Sequence, residues 1–228
     1  MNDSPTGAVV ITGTVQEGNL LTADTSGLSD EDGLGTLTYQ WYADGSPISG
    51  ATSSTFTPSQ SEVGKPITVT VSYRDLQGTD ESKTSAATLN VANTNNAPSG
   101  SVVISGPLQE GETLTLDAST IADADGLGSF TYQWKADGTP IAGATGTQYT
   151  LTQDEVGKPM TVSVSYQDGF GASETVTSTP SSNVLNLNQD PTGTVSISGV
   201  LFEGESLTSD ISTISDLDGL GTIHYQWK

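Results

Sequence analysis

The sequence predicts an all-β chain of tandem two-sheet sandwiches, and three observations predict it. First, the string Tyr-Gln-Trp ends at Trp41, Trp134 and Trp227, an interval of 93 residues held without insertion or deletion. Glu17-Gly18 returns as Glu110-Gly111 and Glu203-Gly204, and Asp32-Gly-Leu-Gly35 returns as Asp125-Gly-Leu-Gly128 and Asp218-Gly-Leu-Gly221. Such a period exceeds the roughly 20–50 residues of a solenoid repeat and suits one small domain of roughly 100 residues. Second, short segments rich in Val, Thr and Tyr alternate apolar with polar residues, the two-residue period of a half-buried strand. Third, Gly, Pro and Asp-Gly turn signals punctuate those segments.

In the first repeat, Val9 to Ile11 reads as an opening strand, and Leu21 and Ala23 alternate in a second. Leu37, Tyr39 and Trp41 alternate in a third and point to one face, with Trp41 as the core pin. Asp44-Gly45 follows as a tight hairpin turn. Ile48 and Phe56 mark two short strands, Ile67, Val69, Val71 and Tyr73 the clearest strand of the repeat, and Thr88 to Val91 a last one. The second repeat matches them with Leu114 and Leu116, then Phe130, Tyr132 and Trp134, then Met160, Val162, Val164 and Tyr166. About seven strands per repeat is the count of an immunoglobulin-like, Greek-key sandwich. The expected domains are 1–98, 99–191 and the opening part of a third, 192–228.

The seams are short and polar. Asn93-Thr-Asn-Asn-Ala-Pro98 joins the first two repeats, and Asn186-Leu-Asn-Gln-Asp-Pro191 joins the next. Proline fixes its own φ and biases the residue before it toward extended backbone. Stiff seams of this kind predict a rod-like array. The partial repeat carries Val195, Ile197, Leu207, Ile223, Tyr225 and Trp227 at core spacing without the later strands that would cover them. A neighbouring strand or partner chain is expected to complete it, or the chain is an excerpt of something longer.

Composition narrows the partners. Six Lys and Arg stand against 27 Asp and Glu, a net charge of -21. That excludes a nucleic-acid backbone binder, which needs cations for phosphates, and charge-driven docking on an anionic membrane. It suits a self-repelling soluble surface or divalent-cation binding. With no cysteine there is no disulfide framework and no thiolate metal site. No apolar run reaches the length of a membrane span, and Met1 to Pro5 has no signal-peptide core. Enzyme activity has little support: the single histidine, His224, stands where the other repeats have Thr38 and Thr131, and no nucleophile elbow recurs.

The acidic residues that recur at the period are the candidate site. Asp30-x-Asp32-Gly33, with Asp123-x-Asp125 and Asp216-x-Asp218, places two carboxylates at i and i+2 in a loop where they can converge on one hard cation, expected to be Ca2+. The alternative is a turn whose Asp side chains satisfy its own backbone. Asp75 and Asp168 end the Val-Ser-Tyr strand and either complete a cation site or cap a hairpin.

The strings Asp-x-Asp-Gly-Leu-Gly, Tyr-Gln-Trp-x-Ala-Asp-Gly, Ile-x-Gly-Ala-Thr, Glu-Val-Gly-Lys-Pro and Val-Ser-Tyr-x-Asp, with seams ending in Ala-Pro-Ser-Gly or Asp-Pro-Thr-Gly, span nearly the whole chain. They resemble the immunoglobulin-like or cadherin-like tandem repeats of large bacterial surface adhesins of the RTX type. The resemblance implies that Glu17, Glu110 and Glu203 share Ca2+ with a downstream Asp-x-Asp where repeats meet, although Asn95 and Asn96 stand where that family has charged ligands. It also implies a structural extender, outside the cell or on its surface, in adhesion or biofilm. Related repeats occur in virion proteins, so a decoration component of a virion or filament is the alternative, and a glycan-binding module a third, weakened by aromatics that sit at core spacing.

Overall fold

The computed structural model describes residues 2–228. The chain divides into two compact units. The first is Met1–Ala97 with Ala124–Gly126 and Gly169–Ala172; the second is Pro98–Asp123, Leu127–Asp168 and Ser173–Lys228.

The first unit holds seven strands: β1 (Val10–Thr12), β2 (Leu21–Asp24), β3 (Thr38–Ala43), β4 (Ser46–Pro47), β5 (Thr55–Phe56), β6 (Ile67–Arg74) and β7 (Asp80–Thr84). They form a three-stranded sheet in the order β1-β2-β5 and a four-stranded sheet in the order β4-β3-β6-β7, with antiparallel pairings throughout. The chain changes sheet after β2, β4 and β5, the pattern of an immunoglobulin-like sandwich. Both sheets contribute to one core. Leu21 and Ala23 come from one; Trp41, Ile67, Val69, Val71 and Tyr73 come from the other. The two-residue period of β6 is complete, since Ile67, Val69, Val71 and Tyr73 are buried and the residues between them are half-buried. Trp41 is fully buried, donates its indole N–H to the Ser53 carbonyl at 2.9 Å, and packs against Phe56 with ring centroids 5.6 Å apart.

Asp44 and Gly45 sit at φ 47° and 75° between Ala43 and Ser46, which pair across the turn. Positive φ at both central residues is the hairpin turn that matches strand twist. Gly35 meets a different demand: a Cβ there would lie 1.9 Å from the Arg74 carbonyl oxygen, so the last glycine of Asp-Gly-Leu-Gly lets the loop pass against β6.

One strand differs from the sequence expectation. Thr88 to Val91 makes isolated bridges, Pro66 with Asn90 and Val63 with Val91, rather than a strand. The seventh strand is instead β7, which pairs with β6. β7 is a sheet edge with Glu81 and Lys83 turned to its half-buried side, so it carries no apolar alternation to be read.

The second unit repeats the plan with β8 (Val103–Ser105), β9 (Thr113–Asp117), β10 (Thr131–Ala136), β11 (Thr139–Pro140), β12 (Gln148–Thr150), β13 (Met160–Gln167) and β14 (Ser173–Thr177). Its sheets run β12-β9-β8 and β11-β10-β13-β14 around Trp134, Leu114, Leu151, Met160, Val162 and Val164. The partial repeat contributes one two-stranded ribbon, β15 (Ser196–Gly199) with β16 (Leu207–Asp210).

Candidate cation sites at the seams

Each Asp-x-Asp loop first satisfies its own backbone. Asp30 Oδ1 accepts from the Asp32 N–H at 2.9 Å, and Asp216 Oδ1 accepts from the Asp218 N–H at 2.9 Å. The other oxygen of Asp30 accepts from the Tyr73 hydroxyl at 2.6 Å, and Asp123 accepts from Tyr166 at the same distance. Burial, then the hydrogen bond to the aspartate, pushes both tyrosines well above the usual phenol range, so each stays a donor. Asp30 therefore anchors its loop to β6 and Asp123 anchors its loop to β13, the structural alternative raised by the sequence.

The second aspartate of each pair faces a seam. Asp32 Oδ2 accepts from the Asp3 N–H at 2.7 Å, Asp125 Oδ2 from the Asn96 N–H at 2.6 Å, and Asp218 Oδ2 from the Gln189 N–H at 2.7 Å. Gln77 also donates to Asp32 Oδ1. The glutamates reach the same seam residues. Glu17 is fixed by its own N–H on the Ala92 carbonyl, and Glu110 by its N–H on the Leu185 carbonyl. Asn96 Nδ2 donates to Glu17 Oε1 at 3.3 Å, and Gln189 Nε2 donates to Glu110 Oε1 at 2.9 Å. Thus Glu17 and Asp125 meet at Asn96 in the first unit, and Glu110 and Asp218 meet at Gln189 in the second. Glu203 is exposed and joins neither group.

Asp75 is 5% exposed and caps the turn after β6. The Thr79 N–H, with those of Gly78 and Gln77, holds its carboxyl below the usual range against the opposing effect of burial. Asp168 is similarly buried. Among the described residues no three Asp, Glu or His side chains gather into one cluster.

Five side-chain oxygens, spread over the two units, remain without a donor. Asp75 Oδ2, Asn93 Oδ1, Gln153 Oε1, Gln189 Oε1 and Asp218 Oδ1 are buried and have no hydrogen-bond partner among the described residues. All five are acceptors. Leaving a buried acceptor unpaired costs about 1–3 kcal/mol. A hard cation removes that cost, because Ca2+ takes 6–8 oxygens from carboxylates, side-chain amides and backbone carbonyls. Where Gln189 joins Glu110 to Asp218, the free Gln189 Oε1 and Asp218 Oδ1 fit Ca2+ as a mixed carboxylate–amide set rather than a carboxylate cluster. Sequence reasoning overlooked Gln60, Gln153 and Gln189, because it searched for recurring acids; Gln60 and Gln153 recur at the period as faithfully.

A comparison with protein-family profiles and with curated proteins finds no match. Among solved structures, the chain is similar to the FN1–FN3 domains of chicken CNTN1, at 14% identity and TM-score 0.31 over 96% of this chain and 90% of that one. It is also similar to the fibronectin(III)-like modules of Clostridium thermocellum CbhA, at 18% identity and TM-score 0.26 over 78% and 95%. The tandem Ig repeats of Dlar follow at 13% identity and TM-score 0.24 over 82% and 99%. The fold rests on the strands and sheets above and takes nothing further from neighbours this distant. No helix long and apolar enough to cross a membrane occurs among the described residues.

Proposed function

We propose that this chain is a structural extender segment of a bacterial cell-surface adhesin, working outside the cell to hold a distal binding domain away from it, with Ca2+ stiffening its seams. The observation that carries the reading is that the seam is built twice in the same way. A seam N–H binds the second Asp of the loop that follows it, at 2.6 Å in one seam and 2.7 Å in the other, and the same residue's amide reaches the glutamate that precedes it. A joint reproduced at a fixed period serves a chain whose output is length. A catalytic or recognition site needs to occur only once.

The residues that would hold the ion are Glu17, Gln60, Asn96 and Asp125 in the first unit, and Glu110, Gln153, Gln189 and Asp218 in the second. Asp32 accepts from the Asp3 N–H as Asp125 does from Asn96 and Asp218 from Gln189. A bound Ca2+ supplies the positive charge and high coordination number that these oxygens can fill. Binding confined to the folded state raises stability by about 2.7 kcal/mol at a hundredfold excess over Kd. The unfolding midpoint is therefore expected to rise between EDTA and millimolar Ca2+, with calorimetric uptake of the ion. An unchanged midpoint and no uptake would refute the cation; the extender role is tested separately, by varying repeat number between a cell anchor and a binding domain and measuring reach.

A further inference from the structure

We infer that Asn96 and Gln189 act as latches that hold each seam closed when the cation is absent, so that the seam is calcium-strengthened without being calcium-dependent. The inference rests on the cation reading for one of its two states. The geometry of the other state is that of a single residue joining two carboxylates. Asn96 gives its backbone N–H to Asp125 Oδ2 at 2.6 Å and its side-chain N–H to Glu17 Oε1 at 3.3 Å, with Gln60 Oε1 at 3.5 Å and the Thr94 carbonyl at 3.1 Å also within its reach. Gln189 gives its backbone N–H to Asp218 Oδ2 at 2.7 Å and its side-chain N–H to Glu110 Oε1 at 2.9 Å, with the Leu187 carbonyl at 2.8 Å. Two like charges that would repel across the seam are thereby tied to one neutral donor group.

The other end of the same amide completes the device. Gln189 Oε1 is buried without a partner, as is Asp218 Oδ1. Terminal amide torsions are broad and roughly two-fold, so a half-turn exchanges the nitrogen for the oxygen at little steric cost. With the nitrogen facing Glu110, the seam is closed by hydrogen bonds. With the oxygen facing inward, the amide becomes a neutral ligand beside Glu110 and Asp218. A carboxylate at this place would bind a cation more strongly, because ligand charge sets Ca2+ affinity. Without the cation it would add a third negative charge beside two others, with no donor to offset it.

The test is Asn96→Asp in the full chain, with Gln189→Glu as an independent version in the second seam. Unfolding midpoints are measured in EDTA and in millimolar Ca2+, and Ca2+ affinity by calorimetry. Asn96→Asp is expected to unfold at lower temperature than the parent in EDTA, to recover in Ca2+, and to bind Ca2+ on the order of tenfold more tightly through its added ligand charge. The same displacement between EDTA and Ca2+ in parent and both variants would overturn the latch. A parent that ignores Ca2+ while the variants respond would refute the cation at the native seam and overturn the calcium-strengthened half of the inference, leaving only the hydrogen-bonded closure supported by the lower midpoint of the variants in EDTA. A parent and variants that all ignore Ca2+ would refute both.

Discussion

The second repeat and the partial third repeat carry the same residues with opposite fates. Tyr-Gln-Trp134 ends on an indole that is fully buried, and Tyr-Gln-Trp227 on one that is 50% exposed. Val102 and Leu114 are buried, whereas Val195 and Leu207, one period later, are exposed. The local structure is nevertheless shared. β8 with β9 and β15 with β16 pair in the same antiparallel register, and the bridge of Ser99 with Ala122 returns as Thr192 with Ser215. The difference is the cover. Trp134 lies opposite Val162 in β13, and no strand among the described residues stands opposite Trp227. Alternating sequence suffices to shape a ribbon, and a second sheet is needed to turn its apolar face into a core.

The sharpest way to break this comparison is to truncate the two tryptophans. Trp134→Ala should cost about 3–5 kcal/mol, the cost of emptying a large buried site. Trp227→Ala should stay within about 0.5 kcal/mol, as at an exposed position. Denaturant unfolding measures both, and equal losses would mean that the partial repeat is covered in solution. Next in size is the glycine of the Asp-Gly-Leu-Gly loop. A Cβ on Gly128 would lie 2.0 Å from the Gln167 carbonyl oxygen, whereas one on Gly221 meets nothing within 4 Å. Gly128→Ala should therefore destabilise by about 1–3 kcal/mol, the range for overpacking, and Gly221→Ala should be close to neutral in the same assay.

The smallest effect should be identical in the two regions. Asp117 and Asp210 each accept from the N–H two residues on, Ser119 and Ser212, at 2.8 Å. Those backbone bonds, then the serine side chains, hold both carboxyls below the ordinary aspartate value of 3.8. A depressed folded-state value means the contribution is present above pH 3.8 and is lost as pH falls through the lower folded value. NMR titration should show Asp117 and Asp210 depressed alike, because the turn is local. A normal titration at Asp210 alone would show that the turn needs the completed sandwich.

The repeat length, the strands around Trp41 and Trp134, the hairpin at Asp44-Gly45 and the sandwich class were all legible in the sequence. Each follows from near-neighbour rules: a two-residue burial period, positive φ at Asp-Gly, and a fixed interval. β7 was illegible because an edge strand has one solvated side and little apolar content. The candidate site was half legible. Asp32, Asp125 and Asp218 stand at the seams, whereas the recurring Asp30 and Asp123 are held by Tyr73 and Tyr166, 43 residues downstream.

By itself, then, the sequence determined where strands begin and turn, how the unit repeats, and which acids recur, because these depend on residues close along the chain. The tertiary structure alone decided which of those acids are anchors, that Gln189 joins Glu110 to Asp218, and which apolar faces become core. Those outcomes depend on groups brought together from 29 to 79 positions apart, and no local pattern encodes which distant partner will occupy a given oxygen.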